Sequence, residues 1–576
     1  MCGLAGLMTR DGQAPDPATL DALIAALRHR GPDAEGCHVR GDTALAHTRL
    51  SIVDLQTGDQ PLFGADGLAL VANAEIYNDP TLRAALPDYP FRTRSDCEPV
   101  LPLYTAHGAG FARHLRGMYA LALHDPAAGR LVLARDPFGI KPLYYTEAAS
   151  GFAFASEPQA LLRAGLGPRA IDPARRTELL QLKFTTGAAT IFPGISRVLP
   201  GETLVIEGGR IVARERLDPL RGPAAPGDLD AVLSESVTAH LRSDVPYGLF
   251  LSGGIDSSAL LWLMHRATGE RVQAITIGYD GADASDESAG ALAVARAVGA
   301  RCERIAMSEA DFWALAPRIA ASLDDPTTDA AALPTWLLGR AASGQLKVTL
   351  CGEGGDEMFA GYGRYRRAVP PWRFVQRRPR SGGVFEDIPG LALEGWRAGL
   401  AQAEREAAPG RSAVAAMQAL DCAEWLPNDL LIKLDRCLMA HGVEGRTPFV
   451  DPLVAAFAFG LPDHCKLDWR RGKLALRHWL AARLPQAEPF ARKRGFKPPI
   501  GRWMAARAEA LGRLVAAAPG VAGFARPQAV RAVFAGGDAQ ARWSLLFYAL
   551  WHAHHLLGVD ASGSVEDVLA EAASRG

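Results

Sequence analysis

The chain has 576 residues, 48% of them hydrophobic and 22% charged, a balance that supplies sizeable cores and excludes wholesale disorder. At about 150 residues per domain this length corresponds to roughly four units, or to two large ones, and argues against a single module. Sixty-two basic side chains against 63 acidic ones leave a net charge of −1, so no global field draws in nucleic acid or acidic lipid.

Up to about residue 210 the sequence reads as short strands joined by turns. Strands are expected at Leu45 to Val53, Leu68 to Tyr77, Tyr119 to His124, Arg130 to Ala134 and Gly151 to Ala155, with helices at Pro17 to Arg28 and Glu98 to His107. This pattern predicts an α+β domain with antiparallel sheets over residues 1–210. Residues 211–228, rich in Gly, Pro and Arg and without periodicity, read as a linker.

Beyond the linker, residues 229–576 begin with alternation. Helix Leu229 to Arg242 precedes strand Tyr247 to Leu251, helix Ser258 to Arg266, strand Val272 to Tyr279 and helix Ser285 to Val298. Strand Arg301 to Met307, helix Glu309 to Ser322 and strand Lys347 to Cys351 follow. Such βα alternation predicts a doubly wound parallel sheet with ligands at the carboxyl ends of its strands. Residues 370–560 read as mainly helical.

The eight cysteines never form a C-x-x-C pair, which argues against a disulfide framework and a zinc cage and fits a reducing compartment. The longest apolar run, Leu453 to Leu461, is too short to span a bilayer, and the first residues lack a charged-then-apolar signal pattern. A soluble cytoplasmic protein is the expectation, with no membrane partner.

Ser252-Gly253-Gly254-Ile255-Asp256-Ser257-Ser258 follows an expected strand and opens an expected helix, where a phosphate-binding loop belongs. Glycines let the backbone approach an oxyanion, the helix start offers free N–H groups, and Ser257 and Ser258 add hydroxyls. A serine-capped turn is the plainer reading, and the strand-to-helix context favours phosphate over it. The loop lacks the lysine of G-x-x-x-x-G-K-[ST], so cradling released pyrophosphate suits it better than γ-phosphoryl transfer. A second loop, Cys351-Gly352-Glu353-Gly354-Gly355-Asp356-Glu357, also follows a strand. If both loops meet in one crevice, Asp256 and Asp356 would share Mg2+, which favours one or two carboxylates plus phosphate oxygens. Otherwise Asp356 and Glu357 merely charge a helix start.

Cys2 becomes the first residue if Met1 is removed. A terminal amine titrates near about 7.7–8.0 and can serve as base for its own thiol.

Ser252 to Ser258 resembles the pyrophosphate loop of the ATP pyrophosphatases, which include asparagine, NAD, GMP and tRNA-lysidine synthetases. Further stretches choose among them: Leu323-Asp324-Asp325-Pro326, Leu333-Pro334, the Gly352 to Glu357 cluster with Gly361-Tyr362, Asp435 to Gly442, Glu444 to Phe449 and Lys493-Arg494-Gly495-Phe496. In that order they resemble the glutamine-hydrolysing asparagine synthetases across essentially the whole chain, departing at Cys351, usually serine, and at Gly445. The start Met1 to Gly6, with Arg28 to Asp33, is similar to the amino-terminal-nucleophile glutamine amidotransferases.

The resemblance implies a four-layer αββα first domain and a doubly wound synthetase domain with added helices. It implies ATP as substrate, Mg2+ as cofactor, and amidation of aspartate through an acyl-adenylate by ammonia from glutamine. Ser252, Gly253, Gly254, Asp256, Ser257, Ser258, Cys351 and Gly352 would hold ATP and pyrophosphate, with Phe250 and Ile277 flanking the adenine. Glu353 would take a proton from ammonia and Lys473 would stabilise charge on the adenylate. In the first domain Cys2 would be the nucleophile, and Asn73 and the N–H of Ala74 would hold the oxyanion. Arg49 would grip the glutamine α-carboxylate, and Asp96, assisted by Glu75, its α-ammonium. The family usually has glycine where Ala74 stands, and a Cβ there is strained if the backbone needs positive φ.

Other readings compete with this one. Seven arginines between Arg364 and Arg380, beside Trp372 and Phe374, offer a nucleic-acid patch, against which the near-neutral charge and the prolines favour a solvated segment. Amidophosphoribosyl and glucosamine-phosphate relatives share the Cys2 start but lack the Ser252 to Ser258 loop, whereas β-lactam synthetases usually lack the cysteine and carry tyrosine in place of Glu353. An asparagine-synthetase-like enzyme acting on another carboxylate is the closest rival, and a homodimer is left open.

Overall fold

A computed structural model describes residues 2–221, 227–279, 287–369, 382–391, 393–491 and 498–575. The first domain stacks two six-stranded antiparallel sheets. One runs Ile195–Arg197, Tyr144–Ala148, Gly151–Ala155, Gly3–Thr9, Thr43–Arg49, Ala34–Arg40, and the other Arg210–Arg216, Glu202–Glu207, Arg130–Arg135, Gly117–Asp125, Ala69–Ile76, Leu62–Phe63. Leu4, Met8 and Phe154 of the first meet Val71, Ala120 and Leu133 of the second between the layers. Helix Pro17–Leu27 covers the outside of one sheet through Leu23 and Leu27, and Val100–His107 covers the other through Val100 and Leu103. The layers are thus αββα.

Ile211 to Arg216, expected within the linker, instead form the edge strand Arg210–Arg216, paired with Glu202–Glu207, so the first domain's sheet extends past residue 210. Alternating partly buried and exposed positions mark it as an edge with one face toward the protein. Strand Gly3–Thr9 escaped the sequence reading for the opposite reason. Alternate residues feed two different cores, Leu4 and Met8 inward and Ala5 and Leu7 toward the helix, so no apolar–polar alternation is left to see.

The second domain's sheet is parallel, in the order Arg301–Met307, Gln273–Tyr279, Tyr247–Phe250, Val348–Leu350, Glu444–Arg446. Helices Ile255–Thr268 and Ser288–Val298 cover one face through Leu260 and Val294, and Glu309–Ser322 and Ala332–Ala342 cover the other through Phe312 and Leu333. Strand Glu444–Arg446, two charged residues around a glycine, gave no apolar signal. The described part of residues 370–560 is mainly helical, and Trp551 on helix Ala539–His555 ties that layer to the sheet domain by donating from Nε1 to the carbonyl of Leu323 at 2.9 Å. Among the described residues no helix is long and apolar enough to cross a membrane. Arg373 to Arg380, with Trp372 and Phe374, and the Lys493 to Phe496 stretch lie outside the described residues.

Candidate active sites

Cys2 stands directly before strand Gly3–Thr9 of the first sheet, and Asn73, Ala74 and Glu75 belong to strand Ala69–Ile76 of the second. The Cys2 N–H donates to Asn73 Oδ1 at 3.0 Å, joining the sheets, while the thiol faces the Leu50 carbonyl at 3.9 Å. Burial pushes the thiol up from its ordinary value, so it needs an adjacent base to react. Asn73 is fully buried and its Nδ2 has no hydrogen-bond partner among the described residues, a donor left over for an oxyanion. Ala74 pairs with Tyr119 in an ordinary antiparallel ladder and is absent from the residues of positive φ, so its Cβ carries no left-handed strain.

Cys2, Arg49, Ala74, Glu75, Asp96 and Glu444 line one small pocket. Arg49 donates to the exposed Asp59 at 2.6 Å and to the Asp54 carbonyl at 2.6 Å, and a substrate carboxylate can replace the exposed partner. Asp96 Oδ2 accepts the Ile76 N–H at 2.5 Å, and burial lifts this carboxyl to about 6. Burial also lifts Glu75 above its ordinary value, opposed by Arg446 at 2.8 Å.

The second site lies at the carboxyl ends of adjacent strands Tyr247–Phe250 and Val348–Leu350. Gly253 has φ +75°, and a Cβ there would stand 2.7 Å from the Ala291 nitrogen, so the loop needs glycine. Gly254 precedes helix Ile255–Thr268, whose first turn carries Asp256 and Ser257. Ser252 Oγ lies 3.1 Å from Ser257 Oγ and accepts the Gly254 N–H at 3.2 Å, whereas Ser258 is fully enclosed. Gly352 packs against Asp256, and the buried Cys351 turns its thiol toward Thr349. Phe250 and Ile277 share one buried cluster on adjoining strands.

Lys473 ties the two loops together. Its Nζ donates to Asp256 Oδ2 at 2.6 Å and pairs with Asp356 Oδ1 at 2.8 Å, from a left-handed backbone at φ +57° just before helix Leu474–Ala481. Burial opposes its charge, but the two carboxylates raise its pKa. A non-glycine residue held in that conformation marks a position the surroundings over-determine. Asp256 Oδ1 is buried without a hydrogen-bond partner among the described residues, an oxygen available to a cation, and two carboxylates match what Mg2+ takes from protein. Glu353, half-buried, is made more basic by burial, with Lys433 opposing and Asp256 and Asp329 adding to it.

The sequence alone assigns no role to Glu444, which lines the first pocket from the second domain, to Arg446, which pairs with Glu75 of that pocket, or to the Lys433–Asp329 ion pair at 2.9 Å. Only charged residues placed among apolar ones signal them, and spacing says nothing about the other domain.

Residues 228–553 match the family model for asparagine synthase, and residues 1–216 that for a glutamine amidotransferase domain. A relative from Mycobacterium tuberculosis, named provisionally as a glutamine-hydrolysing asparagine synthetase, is 33% identical over 96% of this chain and 97% of its own. The Bacillus subtilis glutamine-hydrolysing asparagine synthetase 1 is 29% identical over 88% of each chain. Asparagine synthetase B of Escherichia coli is 29% identical over 83% of this chain and 78% of its own.

Proposed function

The chain belongs to the asparagine synthase family and is a glutamine-hydrolysing carbon–nitrogen ligase; from that premise we propose that it converts L-aspartate to L-asparagine, giving AMP, pyrophosphate and glutamate. The observation that carries the synthetase reading is the convergence of Asp256 and Asp356 on Lys473 at the ends of two parallel strands. A carboxylate is a poor electrophile until it bears a good leaving group, so the side-chain carboxylate attacks the α-phosphorus of ATP and pyrophosphate departs. The Ser252 to Ser258 loop receives the pyrophosphate with its N–H groups and hydroxyls. Ammonia then attacks the β-aspartyl-AMP carbonyl, Glu353 takes its proton, and AMP leaves, with Lys473 balancing charge on the adenylate. Asp256 and Asp356 would hold Mg2+, whose chemistry is neutralisation of phosphate charge.

In the first domain the Cys2 nitrogen, once terminal, takes the thiol proton and the thiolate attacks the glutamine amide. Asn73 Nδ2 and the N–H of Ala74 meet the oxyanion, while Arg49 and Asp96 hold the amino-acid head. Leu50, Ile52 and Met118 of this domain join Leu249, Leu251 and Leu350 of the other in one apolar cluster, and a passage opened through it would be dry and suited to neutral ammonia.

Acceptor-dependent exchange of labelled pyrophosphate into ATP, screened over aspartate and other carboxylic acids, tests the reading. Exchange with aspartate alone supports it. Exchange with another acid and none with aspartate establishes the rival, a ligase of the same mechanism with a different acceptor.

A further inference from the structure

The pocket around Cys2 is completed from the other domain. Strand Glu444–Arg446 is the edge of the parallel sheet, yet Glu444 lines the pocket beside Cys2, and Arg446 Nη2 lies 2.8 Å from Glu75 Oε1. The Arg446 guanidinium is fully buried; Nε and Nη1 are hydrogen-bonded, whereas Nη2 meets Glu75 as an ion pair with no hydrogen bond among the described residues. Nε donates to Glu444 Oε1 at 2.6 Å, and Nη1 to the carbonyls of His240 at 2.8 Å and Arg242 at 2.6 Å. Lys141 of the first domain, also fully buried, sits 3.5 Å from Glu444 Oε2. Glu75 and Glu444 thus have basic partners within the wall. Asp96, 5% exposed in the same pocket, has no ion-pair partner among the described residues.

We propose that Arg446 is a positioning residue of the glutamine pocket: by engaging Glu75 it fixes the strand that carries Asn73 and Ala74, and it leaves Asp96 as the carboxylate that receives the substrate ammonium. Glu75, Asp96 and Glu444 face one small cavity, where like charges repel each other and compete for an incoming cation. Arg446 pairs with Glu75 and Glu444 and Lys141 also faces Glu444, so Asp96 is left as the carboxylate open to an α-ammonium. The same residue bonds its carbonyl to the Cys351 N–H at 2.8 Å, directly before the loop bearing Glu353, so the pocket geometry depends on an intact second domain.

This inference rests on the assignment of the Cys2 pocket to glutamine. The test is a double-mutant cycle in the full-length protein with Arg446→Lys and Glu75→Gln, reading glutamine KM, glutaminase kcat and ammonium KM for synthesis, with Asp96→Asn as a control. Arg446→Lys keeps the charge and loses the fork, and should raise glutamine KM about tenfold, more than it lowers kcat, without raising ammonium KM. If Arg446 acts through Glu75, the effects of the two substitutions on glutamine KM are non-additive, and the double variant is no worse than the poorer single one. Additive effects, or equal loss of glutaminase and synthetase turnover with glutamine KM unchanged, overturn the proposal and leave Arg446 a structural residue. An Asp96→Asn variant with unaltered glutamine KM would overturn the pocket assignment, and this inference with it.

Discussion

Arg30 and Asp435, 405 residues apart, form a bidentate ion pair across the domain interface, with Nη1 to Oδ2 at 2.8 Å and Nη2 to Oδ1 at 2.9 Å. The same guanidinium donates to the Cys2 carbonyl at 3.2 Å and to Glu157 at 2.7 Å, and both paired residues are buried. Asp435→Ala would leave Arg30 one carboxylate short in a dry site, so unfolding free energy should drop by about 3–5 kcal/mol. Despite burial, Arg30 holds the Asp435 carboxyl below its ordinary range. Its contribution is therefore complete above the unfolded-state pKa and lost as pH falls through the lower folded one. Denaturant melts across acidic pH should show the variant losing less stability on acidification than the wild type. Parallel curves would mean the pair does not set the acid limb.

Asp256→Asn and Asp356→Asn should each cut acceptor-dependent pyrophosphate release by about a hundredfold or more, while basal glutamine hydrolysis continues. Each substitution leaves Lys473 with one carboxylate where it now has two, at 2.6 and 2.8 Å. Pyrophosphate release near the wild-type rate in both variants would show that the two carboxylates do not share a phosphate-side charge site.

How much of this was legible in the sequence depended on whether the information was local. The Ser252 to Ser258 and Cys351 to Glu357 loops declare themselves because glycines and acids between a strand and a helix have few other uses, and they do lie side by side. Resemblance alone puts Asn73 and Asp96 forward as site residues, and it offers no role for Arg446, whose partner Glu75 is in another domain where no spacing encodes the contact. Lys473 could be named, but the left-handed backbone that aims it at two carboxylates is a product of tertiary packing. Strands Gly3–Thr9 and Glu444–Arg446 were missed because one is apolar on both faces and the other is charged at both ends.

Ala74→Gly should change glutaminase kcat less than about twofold and lower stability by about 0.5–1 kcal/mol, the usual effect of glycine within a regular element. A Cβ is strained at left-handed φ, and Ala74 sits in a paired strand outside that region. Steady-state glutaminase assays with thermal melts decide it. A several-fold rise in turnover would mean that the working backbone differs from this strand geometry.

Glutamine binding should follow the charge of Asp96. Burial lifts that carboxyl to about 6, so it is ionised and able to pair with an α-ammonium above that pH, and neutral below it. In Cys2→Ala protein, where no chemistry intervenes, calorimetric glutamine affinity should weaken about tenfold per pH unit below that value. Asp96→Asn in the same background should bind weakly and without this dependence. Affinity that stays flat from about pH 7 to about pH 5 would remove Asp96 from the ammonium site.

Cys2→Ala removes the proposed acyl acceptor while leaving the second crevice, with Glu353, Asp256, Asp356 and Lys473, untouched. Glutamine-dependent synthesis should fall to background, and synthesis from added ammonium should survive. Retained Met1, or any amino-terminal tag, should act like the substitution, because it turns the base into an amide nitrogen that cannot accept a proton at neutral pH. The geometry supports this equivalence: Asn73 Oδ1 already holds the Cys2 nitrogen at 3.0 Å, in the place where the terminal amine must work. Arg30 binds the Cys2 carbonyl and Asp435 together, so a bulky addition at this end should also lower the thermal midpoint, whereas Cys2→Ala should not. Comparing untagged wild type, Cys2→Ala and an amino-terminally extended form with glutamine and with ammonium separates the two effects. Full-rate glutamine hydrolysis by Cys2→Ala would exclude Cys2 as nucleophile, and failure with ammonium as well would show that the two halves do not work independently.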